Sequence, residues 1–484
     1  MNRAVRRIGL VLGVLILALL VNINIQQVLL ANETRNRAGN QRTVLQEYNR
    51  ERGPILVGVD PAARSIPTDD QYRYLRVYAN GPMYAPATGF YSALYGATGI
   101  ERTENDVLAG TGDQFFVDRV QQLLTGRQAK GGAVSLTLNA AAQQAAWDGL
   151  QGKVGSVTAL DPSTGAILAM ASSPSFNPNL ISSHDLAASQ KAYEQYSTDP
   201  NKPMLNRSLV STPPPGSTFK LVTTAAALES GKFNPNSEIP GPAQYQLPGS
   251  SKKLGNWNKS ACGANDKTTL TGALEISCNS AFAWLGNQLG SDALLKQAEK
   301  FGFNHSFTVP MRAATSTFPN DLDPAQTAMS AIGQYNVTAT TLQMAMVGAG
   351  IGNGGKVMNP YLVNEILSSD LRTISTAKPS QFSQAMSAAN ANTEMQMMVS
   401  VVENGTGTNA QISGVSVGGK TGTAETGGDR PAVAWFVAVA PAANPRVAVA
   451  VSIENSGEGG AEVSGNRLAA PIARSVIEAV LNGQ

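Results

Sequence analysis

The chain has 484 residues, a formal net charge of +2 and 42% hydrophobic residues. That length allows two or more domains with a sizeable core, and the weak net charge gives no indication of nucleic-acid binding. There are two cysteines and two histidines, and no CxxC, HExxH or Cys/His cluster. We therefore expect no metal and no cofactor. A Ser-His-Asp triad would have to use His184 or His305, and neither lies in a recognisable motif.

The N-terminus carries an apolar run behind three arginines. Residues 8–31 contain no charged side chain, and residues 8–21 are wholly apolar. A helix of this length would reach about 36 Å, more than the roughly 30 Å hydrocarbon core of a bilayer. The arginines favour a cytoplasmic N-terminus. We predict a transmembrane signal-anchor at 8–31 after a cytoplasmic tail at 1–7; a cleaved signal peptide is the alternative.

Residues 32–150 are predicted to form a small N-terminal domain. Residues 32–50 are polar and suggest a helical stalk. Residues 72–99 are rich in Tyr, Gly and Pro, which favours short strands and turns over long helices. An alternating strand at 134–138 and a helical stretch at 140–150 complete this part of the chain.

From residue 151 onward the pattern predicts one α/β domain. The strand candidates are 154–160, 167–171, 415–424, 435–440 and 447–453. Their short connections, one of them at Gly427-Gly428, favour antiparallel hairpins. Residues 471–481 follow with apolar side chains on one helical face. We predict an antiparallel sheet with a C-terminal helix packed on it.

The tetrapeptide Ser-Thr-Phe-Lys at 217–220 is the first candidate for chemistry. Three prolines and a glycine precede it and an apolar run follows, which places Ser217 at a helix N-terminus, where negative charge is favoured. Lys220 lies three residues later, on the same face. Apolar surroundings would lower the pKa of Lys220, and a neutral amine beside a serine is a base that needs no histidine.

Two further motifs make the set specific. They are S-x-N at Ser277-Cys278-Asn279 and K-T-G-T at Lys420-Thr421-Gly422-Thr423. S-x-x-K and S-x-N each occur at two other places, so each is weak alone, whereas K-T-G occurs once and lies in a predicted strand. The ordered triplet is the pattern of penicillin-binding proteins and class A β-lactamases.

The chain resembles class B penicillin-binding proteins, in particular the actinobacterial penicillin-binding protein A group. Further similar segments are Arg52-Gly53-Pro54-Ile55, Leu136-Thr137-Leu138-Asn139 with Gln143, 161–179, Asn206-Arg207, Gly333-Gln334 and Trp435-Phe436. The resemblance implies an α/β (α+β) transpeptidase domain at 151–484, with a central antiparallel sheet flanked by helices. It also implies a mainly β pedestal domain at 32–150 and peptidoglycan D,D-transpeptidase activity.

The same resemblance implies roles for the first two motifs. Ser217 would attack the penultimate D-Ala carbonyl of a D-Ala-D-Ala stem peptide, and Lys220 would take its proton. Ser277 would relay a proton to the leaving group, and Asn279 would hold a substrate amide. β-Lactams would acylate Ser217 as substrate mimics.

The third motif is implied to bind the substrate. Lys420 would supply positive charge, while Thr421 and Thr423 would bind the terminal carboxylate. Gly422 would let the substrate lie against the strand. The backbone N–H groups of Ser217 and Thr423 would form the oxyanion hole.

The middle residue of the S-x-N motif departs from the commonest class B pattern, because it is Cys278. The one other cysteine is Cys262, which is predicted on the same exported side. We predict that the two form a disulfide, worth roughly 3 kcal/mol in the chain-entropy model, that braces the S-x-N loop. Two unpaired thiols are the alternative.

Rival functions share parts of this pattern. A D,D-carboxypeptidase or β-lactamase would give the acyl group to water, and a scaffold or β-lactam sensor would bind without turnover. The anchor and the long N-terminal region argue against a β-lactamase, and the intact motifs argue against a dead site. The N-terminal region is too short for a glycosyltransferase domain. The expected partners are stem peptides, β-lactams, the membrane, a separate glycosyltransferase and other division or elongation proteins, without nucleic acid.

Overall fold

The computed structural model of the protein describes residues 3–25, 48–116, 130–426, 431–456 and 464–483. Three sequence predictions fall outside these ranges. They are the end of the predicted membrane segment at 26–31, the predicted stalk at 32–47 and the predicted turn at Gly427-Gly428.

The described chain contains both short runs of strands and short runs of helices. The strands are β1 Ile55–Val57, β2 Asp60–Pro67, β3 Tyr74–Tyr78, β4 Tyr91–Ser92, β5 Gly96–Ala97, β6 Ala133–Leu136, β7 Val154–Leu160, β8 Ile167–Ser173, β9 Glu238–Pro240, β10 Gln244–Gln246, β11 Lys253–Gly255, β12 Lys267–Thr269, β13 Lys356–Met358, β14 Val363–Leu367, β15 Thr373–Thr376, β16 Gln381–Gln384, β17 Gly418–Ala424, β18 Val433–Ala440 and β19 Val447–Asn455. The α-helices are α1 Arg3–Asn24, α2 Gly81–Thr88, α3 Gly99–Thr103, α4 Asn105–Leu108, α5 Ala140–Gly149, α6 Pro178–Ile181, α7 Leu186–Thr198, α8 Arg207–Val210, α9 Lys220–Glu229, α10 Leu270–Glu275, α11 Asn279–Leu289, α12 Ser291–Lys300, α13 Pro324–Ser330, α14 Thr341–Gly352, α15 Ala388–Glu403, α16 Gly465–Leu468 and α17 Ala470–Asn482.

The N-terminal helix α1 contains the predicted apolar run. It begins at Arg3, before the predicted start, and ends at Asn24. Its apolar side chains are exposed, and the 20 residues from Val5 to Asn24 are long and apolar enough to cross a membrane. At about 1.5 Å per residue, a helix of this length matches a hydrocarbon core of roughly 30 Å.

The central sheet has the strand order β17-β18-β19-β7-β8, and every neighbouring pair is antiparallel. The predicted strands and the predicted C-terminal helix are confirmed, with ends shifted by at most three residues. Strand β17, which carries the K-T-G motif, lies at one edge of the sheet. The backbone groups on its outer side are therefore placed to bind an extended chain.

Both faces of this sheet are buried. Successive side chains point to opposite faces, and each face packs into its own hydrophobic cluster. Along β19, the valines at 447, 449 and 451 pack in the cluster that contains helix α17, and Ala448 and Ala450 pack in the cluster that contains helix α14. The small alanines let α14 approach closely. A Cβ added to Gly348 of α14 would lie 2.9 Å from Val437 Cγ1. The prediction of a central sheet flanked by helices is confirmed.

A second sheet has the strand order β15-β14-β6-β1-β2-β3. Strand β6, predicted from the alternation at 134–138, pairs parallel to β1 and antiparallel to β14. Strands β14 and β15 come from residues 363–376, more than two hundred residues beyond β6. Chain segments that are distant in sequence therefore complete the N-terminal sheet.

One short helix in the N-terminal region is not predicted from the sequence. The segment 72–99 contains the expected short strands, but Gly81–Thr88 forms helix α2. Pro82 stands in the first turn of this helix, where a missing N–H costs little. Tertiary contact supports the helix, because the buried amide of Gln143 donates to the Met83 carbonyl at 3.0 Å.

A buried ionic cluster holds the start of the N-terminal domain. Arg52 Nε and Arg76 Nε each lie 2.6 Å from a carboxylate oxygen of Glu101. Burial alone would raise the pKa of Glu101, but the two arginines lower it. Removing one partner of such a cluster is strongly destabilising, because it leaves an uncompensated buried charge.

Candidate active site

The S-x-x-K segment forms a turn that runs directly into a helix. Gly216–Phe219 is a 3-10 turn, and α9 begins at Lys220, as the prolines before the motif predict. Ser217 is partly exposed, whereas the residues on either side of it and Lys220 are buried. Ser217 therefore keeps part of its surface in contact with solvent, while the lysine amine is withdrawn from water.

Lys220 connects the first motif to the second. Its Nζ donates to the Ser277 carbonyl oxygen at 2.9 Å and to Asn279 Oδ1 at 2.8 Å, and it lies 3.2 Å from Ser277 Oγ. Within the described chain, Ser217 Oγ is not among its hydrogen-bond partners. Such catalytic hydrogen bonds often tighten only in the substrate complex.

The electrostatics of Lys220 suit a general base. Two causes lower the pKa of Lys220 well below its usual value. Burial is the larger cause, and the nearby charge of Lys420 is the smaller. The sequence predicts the same lowering of the Lys220 pKa, from desolvation by apolar neighbours. The contribution of Lys420 depends on the fold, since the two lysines are 200 residues apart in the chain. A deprotonated amine can accept the proton of a serine hydroxyl.

The S-x-N motif lies in a tight turn before helix α11. Ser277 has a φ of 59°, and Asn279 is the first residue of α11. Cys278 and Cys262 form a disulfide with a Cα–Cα distance of 6.0 Å, as predicted. Both cysteines are buried or nearly so. The disulfide ties the middle residue of the motif to the neighbouring loop.

The K-T-G motif contacts the first motif from the edge strand. A Cβ added to Gly422 would lie 3.0 Å from Thr218 Cγ2, and one added to Gly216 would lie 2.8 Å from the Thr423 carbonyl oxygen. Glycine at both positions permits this close approach. Thr423 is exposed, so its side chain can meet a ligand. The structure thus brings all three motifs to one place.

Lys420 is fully buried and donates to the Thr421 carbonyl oxygen at 3.0 Å. Burial lowers the pKa of Lys420 to about 7. This folded-state pKa lies below the unfolded value of about 10.4, so the destabilising effect of burying Lys420 is complete below pH 7 and fades as pH rises toward 10.

The same titration predicts the pH dependence of acylation. A protonated Lys420 attracts a carboxylate and helps to keep Lys220 neutral. We therefore expect the second-order rate constant for acylation by a penicillin to fall as pH rises through about 7. Stopped-flow labelling across pH 5 to 10 measures this profile.

Lys420→Arg provides the control for this profile, because a guanidinium stays charged throughout the range. The arginine variant should lose the fall near pH 7. An identical fall in both proteins would contradict the assignment of this titration to Lys420.

The sequence motifs do not reveal two other residues beside the site. Thr406 Oγ1 lies 2.8 Å from Thr421 Oγ1, and the indole of the exposed Trp257 donates to the Ile276 carbonyl at 3.1 Å. Each is separated from its motif in sequence. The one local signal for Thr406 is the glycine on either side of it, just after α15.

Comparison with known proteins agrees with this geometry. Residues 155–478 match the penicillin binding protein transpeptidase domain, and residues 52–134 match the penicillin binding protein A dimerisation domain. The chain is 44% identical over 490 residues to the peptidoglycan D,D-transpeptidase PbpA of Mycolicibacterium smegmatis, with 99% of each chain covered. It is 42% identical over 493 residues to PbpA of Mycobacterium tuberculosis, with 100% of each covered.

A solved structure shows the same fold. The ceftriaxone acyl-enzyme complex of penicillin-binding protein A from Mycobacterium tuberculosis matches with a TM-score of 0.87 at 42% identity. The match covers 90% of this chain and 100% of that chain. The predicted family resemblance and fold class are therefore confirmed, and the chain belongs to the penicillin-binding protein transpeptidase family.

Proposed function

We propose that the protein is a peptidoglycan D,D-transpeptidase that cross-links stem peptides through an acyl-enzyme on Ser217. The observation that carries this proposal is the position of Lys220. Its amine is buried, has a lowered pKa and joins the partly exposed Ser217 segment to the S-x-N motif. A partly exposed serine, followed three residues later by a buried amine with a lowered pKa, is equipped for acyl transfer.

The first half-reaction would form the acyl-enzyme. Ser217 Oγ attacks the carbonyl carbon of the penultimate D-Ala while Lys220 Nζ takes the hydroxyl proton. The backbone N–H groups of Ser217 and Thr423 stabilise the negative oxygen of the tetrahedral intermediate, a contribution of about 3–4 kcal/mol per donor in comparable sites. The C–N bond then breaks, and a proton relayed through Ser277 leaves with the terminal D-Ala.

Substrate binding would depend on the edge strand and the S-x-N turn. The terminal carboxylate would contact the hydroxyls of Thr421 and Thr423 under the positive charge of Lys420. Gly422 would admit the peptide backbone along β17, and Asn279 would hold a substrate amide.

The second half-reaction would transfer the acyl group to an amine. An amino group on a neighbouring stem peptide attacks the Ser217 ester, and a neutral Lys220 takes a proton from it. The ester C–O bond then breaks, Lys220 returns the proton to Ser217 Oγ, and the new amide cross-links two strands. β-Lactams would stop this cycle by acylating Ser217. The related Mycobacterium tuberculosis protein has been solved as acyl-enzyme complexes with ceftriaxone, imipenem and penicillin G.

The remaining predictions concern location and partners. Helix α1 would anchor the chain in the cell membrane by a single pass, with the arginines at its start in the cytoplasm and the catalytic domain outside. Residues 32–150 would form the pedestal and residues 151–484 the transpeptidase domain. A separate membrane glycosyltransferase and other division or elongation proteins would supply and organise the nascent glycan strands.

Product analysis separates transpeptidation from hydrolysis. The full-length protein is incubated with a D-Ala-D-Ala pentapeptide donor and increasing concentrations of an amine-bearing acceptor stem peptide, and the products are quantified by mass spectrometry. We expect a cross-linked product whose share rises with acceptor concentration, and none after treatment with penicillin. Tetrapeptide alone at every acceptor concentration would instead establish a carboxypeptidase.

A further inference from the structure

The loop after helix α15 touches the K-T-G motif and the end of the helix that leads into the S-x-N motif. This loop, Asn404–Gly407, contains Thr406, whose backbone N–H donates to the Glu275 carbonyl oxygen at 3.1 Å. Glu275 ends helix α10, two residues before Ser277. On its other side, Thr406 Oγ1 lies 2.8 Å from Thr421 Oγ1 of the K-T-G motif. One threonine therefore bridges the S-x-N segment and the edge strand.

The position of this loop is set by its close packing. A Cβ added to Gly405 would lie 2.4 Å from the Glu275 carbonyl oxygen, so a larger residue would push the loop off helix α10. Ser400 Oγ donates to the Glu275 carboxylate, and the Gly407 N–H donates to the Val401 carbonyl at 2.9 Å. These contacts hold Thr406 against the motifs.

Hydroxyl chemistry limits how the two threonines can pair. The Thr406 hydroxyl has one proton and two acceptors within reach, Thr421 Oγ1 at 2.8 Å and the Glu275 carbonyl oxygen at 3.3 Å. If it donates to Glu275, then Thr421 must donate to Thr406, and the proton of Thr421 is no longer available. If it donates to Thr421, the proton of Thr421 is free to point outward.

We propose that Thr406 is a positioning residue, which donates to Thr421 so that the Thr421 hydroxyl can donate to the carboxylate of the bound substrate or β-lactam. This inference rests on the proposed function, because that function places the substrate carboxylate at the Thr421 hydroxyl. This direction keeps the 2.8 Å hydrogen bond between the two threonine hydroxyls and gives up the one from Thr406 Oγ1 to the Glu275 carbonyl oxygen. The contact with Glu275 is longer, at 3.3 Å, and is therefore the weaker of the two.

Lys420 supports the same arrangement. Its Nζ lies 3.5 Å from Thr421 Oγ1 and is the donor in this contact. When Lys420 and Thr406 both present protons to the Thr421 oxygen, the described residues offer the Thr421 proton no acceptor besides Thr406 Oγ1 itself. An anionic carboxylate is the ligand that such a donor suits.

Thr406→Val tests the proposal in the full-length protein, with labelling by a fluorescent penicillin measured over a range of concentrations. We expect the apparent dissociation constant of the penicillin to rise about three- to tenfold, as for loss of one neutral hydrogen bond. The limiting acylation rate should change by less than about twofold, because the carboxylate is held equally before and during reaction. Thr406→Ser keeps the hydroxyl and should behave like the unsubstituted protein.

A double-mutant cycle shows whether Thr406 acts through Thr421. The double variant of Thr406→Val and Thr421→Val should bind penicillin no more weakly than Thr421→Val alone. Thr393→Val is the matched control, since that hydroxyl on helix α15 donates to its own helix, at the Ala389 carbonyl, and contacts neither motif. It should leave both kinetic constants unchanged.

Several results would overturn the inference. These are normal penicillin binding by Thr406→Val, a loss confined to the limiting rate, or effects of the two substitutions that multiply. If the valine variant is not recovered folded, Thr406→Ala carries the same comparison without the second methyl group. Failure of the proposed function is recognised separately, because the unsubstituted protein would then form no cross-linked product in the acceptor titration or would not be labelled by penicillin at all.

Discussion

Replacing Ser217 with alanine is expected to abolish covalent labelling of the full-length protein by a fluorescent penicillin. The variant lacks the oxygen that would form the ester with the penicillin. If Ser217 is the nucleophile, no covalent adduct can form. In a comparable serine acyl-transfer enzyme, removal of the nucleophile lowers turnover by on the order of a millionfold. A denaturing gel with fluorescence detection measures the adduct directly.

The chain provides a matched control for this loss. Ser250 begins another S-x-x-K sequence, which ends at Lys253, but it precedes a short strand rather than a helix. Ser250→Ala should therefore be labelled like the unsubstituted protein. Persistent labelling of Ser217→Ala would refute Ser217 as the nucleophile, and equal loss in both variants would indicate a general effect on folding.

Replacing Lys220 with methionine is expected to lower the acylation rate by about 10²–10⁴-fold, the usual contribution of a general base. Methionine has similar length and no charge, so it fills the buried space without accepting a proton. It also leaves the Ser277 carbonyl and Asn279 Oδ1 without the donor they have now. Loss of buried partners of this kind costs roughly 1–3 kcal/mol each, so the thermal midpoint should fall as well.

Labelling over hours rather than seconds separates slow acylation by Lys220→Met from no acylation. Lys253→Met, which changes an exposed lysine in the other S-x-x-K sequence, is the control and should react normally. A Lys220→Met protein that is folded and acylated at the normal rate would contradict the role of Lys220 as the base.

Much of the fold was predictable because its signals are local. The apolar run of α1, the valine alternation of β19 and the amphipathic pattern of α17 each lie within one short segment. Hydrophobic periodicity and chain breakers decide such elements before any tertiary contact forms. Helix α2 was not predicted, because the Tyr, Gly and Pro composition of 72–99 favours strands and turns, whereas the stability of this helix comes from buried contacts.

Some features of the candidate site could likewise be predicted from the sequence, and others could not. The order of the three motifs and the helix start at Ser217 can be predicted from sequence, because each depends on residues that are close along the chain. Sequence patterns contain no distances between segments. They could not show that Lys220 donates to Asn279, that Lys420 lowers its pKa, or that Thr406 meets Thr421.

Residue identity and local pattern were thus sufficient for the type of chemistry, the strand that carries the third motif and the membrane-length helix. The tertiary structure alone decided which groups share hydrogen bonds and which lysine is desolvated beside another cation. The physical reason is that pKa values and hydroxyl directions depend on burial and on neighbours from distant segments. Strands β14 and β15 illustrate the same point, because they complete a sheet whose other strands lie more than two hundred residues earlier.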